Sequence, residues 1–213
     1  MGDQQKIIGL TGTYCAGKNY VAKLLEARGL VVLDVDKLGH QAIAMEQEAI
    51  LERFGPSILG EDGLIDRRLL GAKVFGNPEA LACLEGMVHP AANRLTDAWI
   101  AVQGGKPCVI NAAVLHKSTA FSRLRGIILV KAPVLTRLLR ARRRDHLSWG
   151  ALIKRFRSQK NFIPQYFRKN ADIYIVNNRG GGCFGFWSRF LRENLENRID
   201  EILEMIWKRK NYY

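Results

Sequence analysis

The sequence predicts an α/β fold in which a five-stranded parallel sheet is flanked by helices. Five short apolar segments, at residues 7–10, 30–33, 108–110, 126–130 and 172–176, alternate with segments whose apolar residues recur at helical spacing. A glycine-rich turn follows the first of them and precedes the first predicted helix. Strands that alternate with helices in this way are typical of parallel sheets with helical crossovers.

The glycine-rich turn over residues 12–19 matches the phosphate-loop pattern G-x-x-x-x-G-K, but Asn19 stands where Ser or Thr is expected. A strand, such a turn and a helix bring backbone N–H groups and the positive end of a helix to one point, which suits a phosphate. The alternative is an ordinary glycine turn. We predict a phosphate-binding loop that binds ATP through Gly12, Thr13, Tyr14, Cys15, Ala16, Gly17, Lys18, Asn19 and Tyr20, with Lys18 reaching the β- and γ-phosphates.

Two acidic residues, Asp34 and Asp36, follow the second predicted strand. The carboxyl ends of parallel strands share one edge of the sheet, where ligands bind. Because the two residues alternate along the predicted strand, we expect only one to face the site, and we select Asp36. Its carboxylate would hold Mg²⁺ or accept a proton from an attacking hydroxyl. A turn or helix cap is the alternative role.

The segment between the second and third strands, about residues 38–105, shows helical periodicity and no strand signal. The apolar pattern from Ala42 to Phe54 predicts one helix, Asp66 is a predicted helix cap, and His89-Pro90 is predicted to interrupt a later helix. We interpret this segment as a helical insert that binds the acceptor substrate.

Arginine is concentrated in a predicted helix that begins after Pro133. Arg137, Arg140 and Arg144 are spaced to lie on one face of it. A solvated basic face, a nucleic-acid patch and a lid that closes over a phosphoryl group all fit this pattern. Because a phosphate loop is already predicted, the lid needs no further partner, and we select Arg140 and Arg144 as its residues.

Composition narrows the class of protein. The net charge of +13 favours anionic partners, and no apolar run reaches the roughly 18 residues of a membrane span. The first residues show no leader sequence, and the four cysteines lack metal-site spacing. We therefore expect a cytoplasmic protein with reduced thiols.

The order of the motifs resembles that of the dephospho-CoA kinases. It comprises the phosphate loop, Leu-Asp-x-Asp at 33–36, Asp-Gly-x-x-x-Arg-Arg-x-Leu at 62–69 and Val-Phe-x-Asn-Pro at 74–78. His-Pro at 89–90, Arg-x-x-x-Arg-Asp at 140–145 and Asn-Asn-x-Gly at 177–180 then follow. Each motif is moderately specific, whereas their shared order, which spans residues 7–180, is highly specific.

The resemblance implies a P-loop kinase that transfers the ATP γ-phosphoryl group to the ribose 3′-hydroxyl of dephospho-CoA, with Mg²⁺, in the last step of coenzyme A synthesis. It implies one domain, with a core at about 1–37, 106–136 and 170–213, a helical insert at about 38–105 and a lid at about 137–169. The residues implied for catalysis are Asp36, Lys18, Arg140 and Arg144; Asn178 is implied for ATP, and Asp36, Arg68 and His89 for the acceptor.

Two positions depart from the family's pattern. Asn19 offers an amide oxygen to Mg²⁺ in place of a hydroxyl, and residues 112–116, Ala-Ala-Val-Leu-His, lack the acid usual after the third strand. A nucleoside or nucleotide kinase of the same core, or a basic RNA-binding protein, is the alternative to a dephospho-CoA kinase. We expect ATP and dephospho-CoA as partners, no nucleic acid and no membrane, with the oligomeric state open.

Overall fold

The computed structural model describes residues 6–158, 172–179 and 185–208. Its centre is a five-stranded sheet in the order β2-β3-β1-β4-β5. Strand β1 pairs in parallel with β3 and β4, and β4 pairs in parallel with β5. The predicted fold class is therefore confirmed. The strands are β1 Ile7–Gly12, β2 Val31–Asp34, β3 Cys108–Asn111, β4 Gly126–Lys131 and β5 Ile173–Asn177.

The described part of the chain contains eight α-helices besides these strands. The predicted lid spans about residues 137–169, and its part beyond residue 158 lies outside the described residues. None of the helices in the described ranges is long and apolar enough to cross a membrane. The helices are α1 Lys18–Glu26, α2 Val35–Met45, α3 Gln47–Phe54, α4 Arg67–Val74, α5 Pro78–Val102, α6 Val134–Asp145, α7 Trp149–Ser158 and α8 Gly185–Lys208.

The chain divides into two compact units. The first comprises Met1–Leu33, Gly105–His116 and Phe121–Tyr213, and it contains most of the sheet. Residues of β1, β3 and β4 are almost all buried, as expected of a parallel sheet covered on both faces. The core cluster joins these strands to α1 and α8, including Leu25 and Ile199.

Helix α1 ends in a Schellman motif, which sets the direction of the chain into β2. Gly29 has φ +82°, its N–H donates to the Glu26 carbonyl at 2.9 Å, and the Leu30 N–H donates to the Leu25 carbonyl at 3.2 Å. Gly29 therefore has the predicted C′ role, although α1 itself ends at Glu26, two residues before the predicted end.

The second unit comprises Asp34–Gly104 and Lys117–Ala120, and every α-helix in it belongs to the predicted insert apart from the start of α2. Its own core contains Ile50, Ile58, Leu70 and Val74. The Asp66 carboxylate accepts from the Arg68 N–H at 2.7 Å and caps α4, as predicted. Whether the two units make a single kinase domain stays a prediction.

Two helix boundaries differ from the predictions. The apolar pattern from Ala42 to Phe54 belongs to two helices, α2 and α3, which meet at Glu46 with φ −102° and ψ 21°. The predicted interruption at His89-Pro90 is wrong, because α5 continues through Pro90. A proline inside a helix costs about 3 kcal/mol. The adjacent Ala91 and Ala92 are buried in a cluster with Ala42.

The end of β2 also differs from the prediction. The strand stops at Asp34, and Asp36 lies in the first turn of α2, so the two carboxylates do not alternate along one strand as predicted. One carboxylate oxygen of Asp34 is buried and accepts no hydrogen bond from the described residues. Asp36 is exposed.

Candidate nucleotide-binding site

The phosphate loop begins where β1 passes closest to β4. A Cβ on Gly12 would lie 2.7 Å from the Val130 carbonyl oxygen, so only glycine fits there without a shift of the backbone. The Ala16 N–H donates to the Thr13 carbonyl at 2.9 Å and closes the turn. Cys15 then adopts φ +57° and Gly17 φ +91°, both in the left-handed region. These reversals direct the chain into α1.

The N-terminus of α1 lies at the end of the phosphate loop. Gly17 is the N-cap residue and provides no side-chain cap, and the first turn carries no acidic residue. The backbone N–H groups of the first turn and the helix dipole therefore favour a negative group at this end. Lys18 is the first residue of the helix and adds a positive charge.

The opposite side of the loop, formed by its carbonyl groups, is held by α6. The Arg137 Nε donates to the Tyr14 carbonyl at 2.7 Å. The Arg140 Nη1 donates to the Ala16 carbonyl at 3.0 Å and to the Cys15 carbonyl at 3.4 Å. Three consecutive carbonyl groups of the loop thus accept hydrogen bonds from two guanidinium groups. Because these hydrogen bonds fix the carbonyl groups, they also fix the orientation of the loop's peptide planes. The backbone N–H groups of the loop are therefore held in place before a phosphate binds.

Asn178 holds the loop from the end of β5. Its side chain is only 3% exposed, and its Nδ2 donates to the Ala16 carbonyl at 3.0 Å. Its Oδ1 accepts from Arg140 Nη2 at 3.3 Å, and its backbone N–H donates to the Lys131 carbonyl at 2.7 Å. A Cβ on Gly17 would overlap the Asn178 amide, so this packing also requires the second motif glycine.

Tyr14 joins the phosphate loop to α6 and α7. Its hydroxyl hydrogen-bonds the Asp145 carboxylate, and its ring lies edge-on to Phe156, with 5.5 Å between centroids. The guanidinium groups of Arg144 and Arg155 lie 5.2 and 5.0 Å from the centroid of the Tyr14 ring. Arg144 also forms an ion pair with Asp145 at 2.7 Å. The loop's aromatic residue is thus enclosed by the segment predicted to form the lid.

Burial changes the acid–base properties of these groups. Desolvation lowers the pKa of both Arg137 and Arg140, and each stays protonated at neutral pH because an arginine pKa is far above 7. Burial also raises the pKa of the Cys15 thiol, and the charges of Arg144, Arg137, Arg140 and Arg155 offset part of that rise. Cys15 is therefore a neutral thiol at pH 7.

Asn19, the predicted magnesium ligand, lies in the first turn of α1 and is exposed. Its Oδ1 accepts a long hydrogen bond, 3.4 Å, from Nδ2 of Asn111 at the end of β3. Asn111 is 1% exposed, and its own Oδ1 is buried and accepts no hydrogen bond within the described ranges. Amide oxygens are hard ligands of the kind Mg²⁺ accepts, so this pair fits a magnesium ion. No group of three or more His, Cys, Asp or Glu suited to a metal occurs among the described residues.

The predicted acceptor residues lie in the second unit. The Arg68 side chain is 92% exposed and contacts the Asp66 carboxylate at 3.2 Å. His89 Nε2 lies 3.9 Å from Glu85, which also binds Lys117 Nζ at 2.8 Å. Both predicted residues are therefore at the surface beside an acid.

The structure thus brings together one set of the predicted residues. Asn178 and Arg140 contact the loop, and Arg144 contacts it through Tyr14. Sequence reasoning did not assign roles to Arg137, Asp145 or Asn111. The spacing of Arg137 with Arg140 was the available signal for the first, whereas the other two depend on contacts 131 and 92 residues apart in the chain.

Comparison with known proteins identifies the family. Residues 6–181 match the family model for dephospho-CoA kinase. A dephospho-CoA kinase of Geobacter metallireducens is 35% identical over 180 residues, which cover 82% of this chain and 88% of that protein. The Treponema pallidum dephospho-CoA kinase is 33% identical over 184 residues, covering 82% of this chain and 87% of that protein.

Solved structures agree on the fold. A crystal structure from Thermus thermophilus superimposes with a TM-score of 0.71 at 30% identity and covers 93% of this chain and 98% of that one. A dephospho-CoA kinase from Campylobacter jejuni superimposes with a TM-score of 0.65 at 23% identity, covering 96% of this chain and 98% of that one.

Proposed function

The chain belongs to the dephospho-CoA kinase family, a family of ATP-dependent kinases, and from this premise we propose that it transfers the γ-phosphoryl group of ATP to the ribose 3′-hydroxyl of dephospho-CoA. The observation that carries the proposal is the phosphate loop. The loop leads into the N-terminus of α1, whose first residue is Lys18, and the loop's carbonyl groups accept hydrogen bonds from α6 and Asn178.

The fixed loop performs the electrostatic part of the reaction. Phosphoryl transfer spreads charge over the equatorial oxygens of the transferred group, and preorganised donors stabilise that charge without moving. The loop amides and Lys18 supply such donors. Arg140 contributes in two ways. It fixes the loop through hydrogen bonds to the Ala16 and Cys15 carbonyls, and its positive charge beside the loop offsets negative charge that develops in the transition state.

Asp36 is the proposed residue that orients the acceptor hydroxyl or accepts its proton. It lies two positions beyond the end of β2 and is exposed. A general base contributes about 10²–10⁴-fold to a rate when it is positioned on the reacting proton. Arg68 and His89 are the proposed contacts to the acceptor, because both present charge or hydrogen-bonding groups at the surface of the helical unit.

A magnesium ion accompanies ATP in this proposal, and it neutralises charge on the β- and γ-phosphates when bound. Asn19 is the residue proposed to hold it, through its amide oxygen. The cytoplasmic location and the lack of a nucleic-acid partner stay predictions of the sequence.

The test is direct detection of product. Purified protein is incubated with ATP, MgCl₂ and dephospho-CoA, and coenzyme A and ADP are measured by mass spectrometry and a coupled assay. Equal amounts of coenzyme A and ADP are expected. Turnover of nucleosides or nucleotides with no coenzyme A formed would instead support a related kinase of the same core.

A further inference from the structure

Asn19 and Asn111 form a contact that the family's motif does not supply. Asn111 is the last residue of β3, the strand hydrogen-bonded directly to β1, and it pairs in register with Leu10. In phosphate-loop proteins generally, Mg²⁺ is held by the loop's Ser or Thr and by an Asp at the end of a buried strand. Here Asn19 stands at the loop position, the residue that ends β3 is Asn111, and the two side chains form a hydrogen bond.

We propose that Asn19 and Asn111 act as a matched amide pair, in which Asn111 orients the Asn19 side-chain oxygen as the protein's ligand for the magnesium ion that accompanies ATP. The proposal rests on the proposed function only in its use of a magnesium–nucleotide complex. It assigns Asn111 a positioning role, because this residue acts through Asn19.

The direction of the hydrogen bond supports the pairing. Nδ2 of Asn111 donates to Oδ1 of Asn19, and an amide oxygen has two lone pairs, so Asn19 keeps one for a metal ion. A carboxylate at position 111 would have no hydrogen to donate and would repel the same oxygen. Conversely, a Ser or Thr hydroxyl at position 19 would donate to a carboxylate. The two asparagines therefore form a self-consistent alternative to the hydroxyl and carboxylate.

Burial of Asn111 argues against a purely structural role. Its Oδ1 is inaccessible to solvent and accepts no hydrogen bond from the residues that the structure describes. An unsatisfied buried acceptor costs about 1–3 kcal/mol, a cost that an apolar side chain of similar size would avoid. The residue's contact with Asn19 is what an apolar replacement would lose.

The pair also changes the charge of the metal site. Two amides contribute no negative charge, so the pair attracts the ion only through amide dipoles, and the nucleotide's phosphates supply negative charge. We therefore expect the protein to bind a divalent ion measurably only as a complex with nucleotide.

The test measures Mn²⁺, a paramagnetic substitute for Mg²⁺, bound to the ADP complex by electron paramagnetic resonance. The proteins compared are wild type, Asn19→Ala, Asn111→Leu and the double variant. Loss of a residue that orients a metal ligand weakens metal binding by about 10–100-fold. We expect each single variant to weaken Mn²⁺ binding at least about 10-fold and the double variant to bind no more weakly than Asn19→Ala.

Control measurements show whether a loss of Mn²⁺ binding is caused by damage to the nucleotide site or to the fold. ADP affinity without metal and the melting temperature show whether the nucleotide site and the fold persist, and Asn111→Ser replaces the leucine variant if that protein does not fold. Asn194→Ala, on the exposed face of α8, should leave Mn²⁺ binding unchanged. Unchanged Mn²⁺ affinity in Asn111→Leu, or two effects that simply add, would overturn the proposal. Neither result depends on whether dephospho-CoA is the acceptor.

Discussion

The phosphate loop and the helical unit hold their candidate residues in opposite ways. The loop's carbonyl groups accept hydrogen bonds from residues more than 120 positions away in the chain, and those donors are buried or half-buried. Arg68 is exposed and His89 is half-buried, and the acids beside them lie two and four residues away in sequence. The phosphate loop is therefore preorganised by distant residues, whereas the predicted acceptor residues have local partners.

Among the effects on ADP affinity, the largest is expected from Gly17→Ala. The new Cβ overlaps the Asn178 amide and forces a side chain into φ +91°, so the loop must move. We expect ADP affinity, measured by calorimetry, to fall about 100-fold, which corresponds to about 2.7 kcal/mol.

Gly29→Ala is the matched control for that substitution. Gly29 has φ +82° and no atom within 4 Å of a built Cβ, so it carries the same kind of strain without the overlap. Its melting temperature should fall by about 2–4 °C for about 1 kcal/mol of strain, with ADP affinity unchanged. Equal loss of ADP affinity in both variants would show that strain, not contact with Asn178, controls the loop.

The next effect is expected from Arg140→Ala. Removal of its guanidinium leaves the Cys15 carbonyl without this donor and weakens the hold on Ala16 and Asn178. An unmade buried hydrogen bond costs about 1–3 kcal/mol, so ADP affinity should fall about 5–150-fold. Arg143→Ala, on the exposed part of α6, should change it less than twofold. If the two variants lose the same affinity, general positive charge rather than the contacts of Arg140 binds the nucleotide.

Arg68→Ala should affect only the acceptor. Because the side chain is 92% exposed, its loss should leave the melting temperature and the ADP affinity unchanged. Steady-state kinetics should show the KM for dephospho-CoA raised about 10-fold, as expected for one lost charge-assisted contact. Arg53→Ala, exposed on α3, is the control. A change in ADP affinity with no change in that KM would place Arg68 outside the acceptor site.

The family, the fold class and the enzyme class were all predictable from the sequence and are confirmed. The phosphate loop, the five strand positions and the Asp66 cap depend on local patterns of a few residues. Such patterns can be recognised in the sequence without knowledge of the rest of the fold. The continuous helix through Pro90 depends instead on the packing of Ala91 and Ala92, which no local pattern reveals.

The contacts of the site were less predictable than its motifs. Arg140 was selected as a catalytic lid residue and Asn178 as an ATP-binding residue, but their hydrogen bonds to the loop's carbonyls depend on how α6 and β5 meet the loop. Asn111 was treated only as the end of a strand, because its contact with Asn19 requires the pairing of β3 with β1. The roles of Asp36, Arg68 and His89 stay predictions.

The smallest effect is expected from Asp200→Asn, on α8, where the carboxylate pairs with Arg28 just beyond the end of α1. Asp200 accepts from Arg28 at 2.8 Å, and this hydrogen bond lowers the pKa of the carboxyl group. A lowered pKa stabilises the fold above the ordinary aspartate pKa of about 4, and that contribution is lost as pH falls through the lowered value. Because the Asp200 side chain is 54% exposed, the loss at pH 7 should be below about 1 kcal/mol.

Urea unfolding of wild type and Asp200→Asn at pH 7 and pH 3 measures this contribution. The difference in the free energy of unfolding should be smaller at pH 3, because protonation of Asp200 removes the same interaction. A difference that grows in acid would contradict the assignment to this ion pair.

The most direct test of the proposed function is single-turnover phosphoryl transfer by wild type and Asp36→Asn, with ATP affinity measured on the same samples. We expect wild type to form coenzyme A from ATP and dephospho-CoA. The variant should form it about 10²–10⁴-fold more slowly, with ATP affinity within about twofold of wild type. No coenzyme A from wild type, or an equal rate in the variant, would contradict the proposed function.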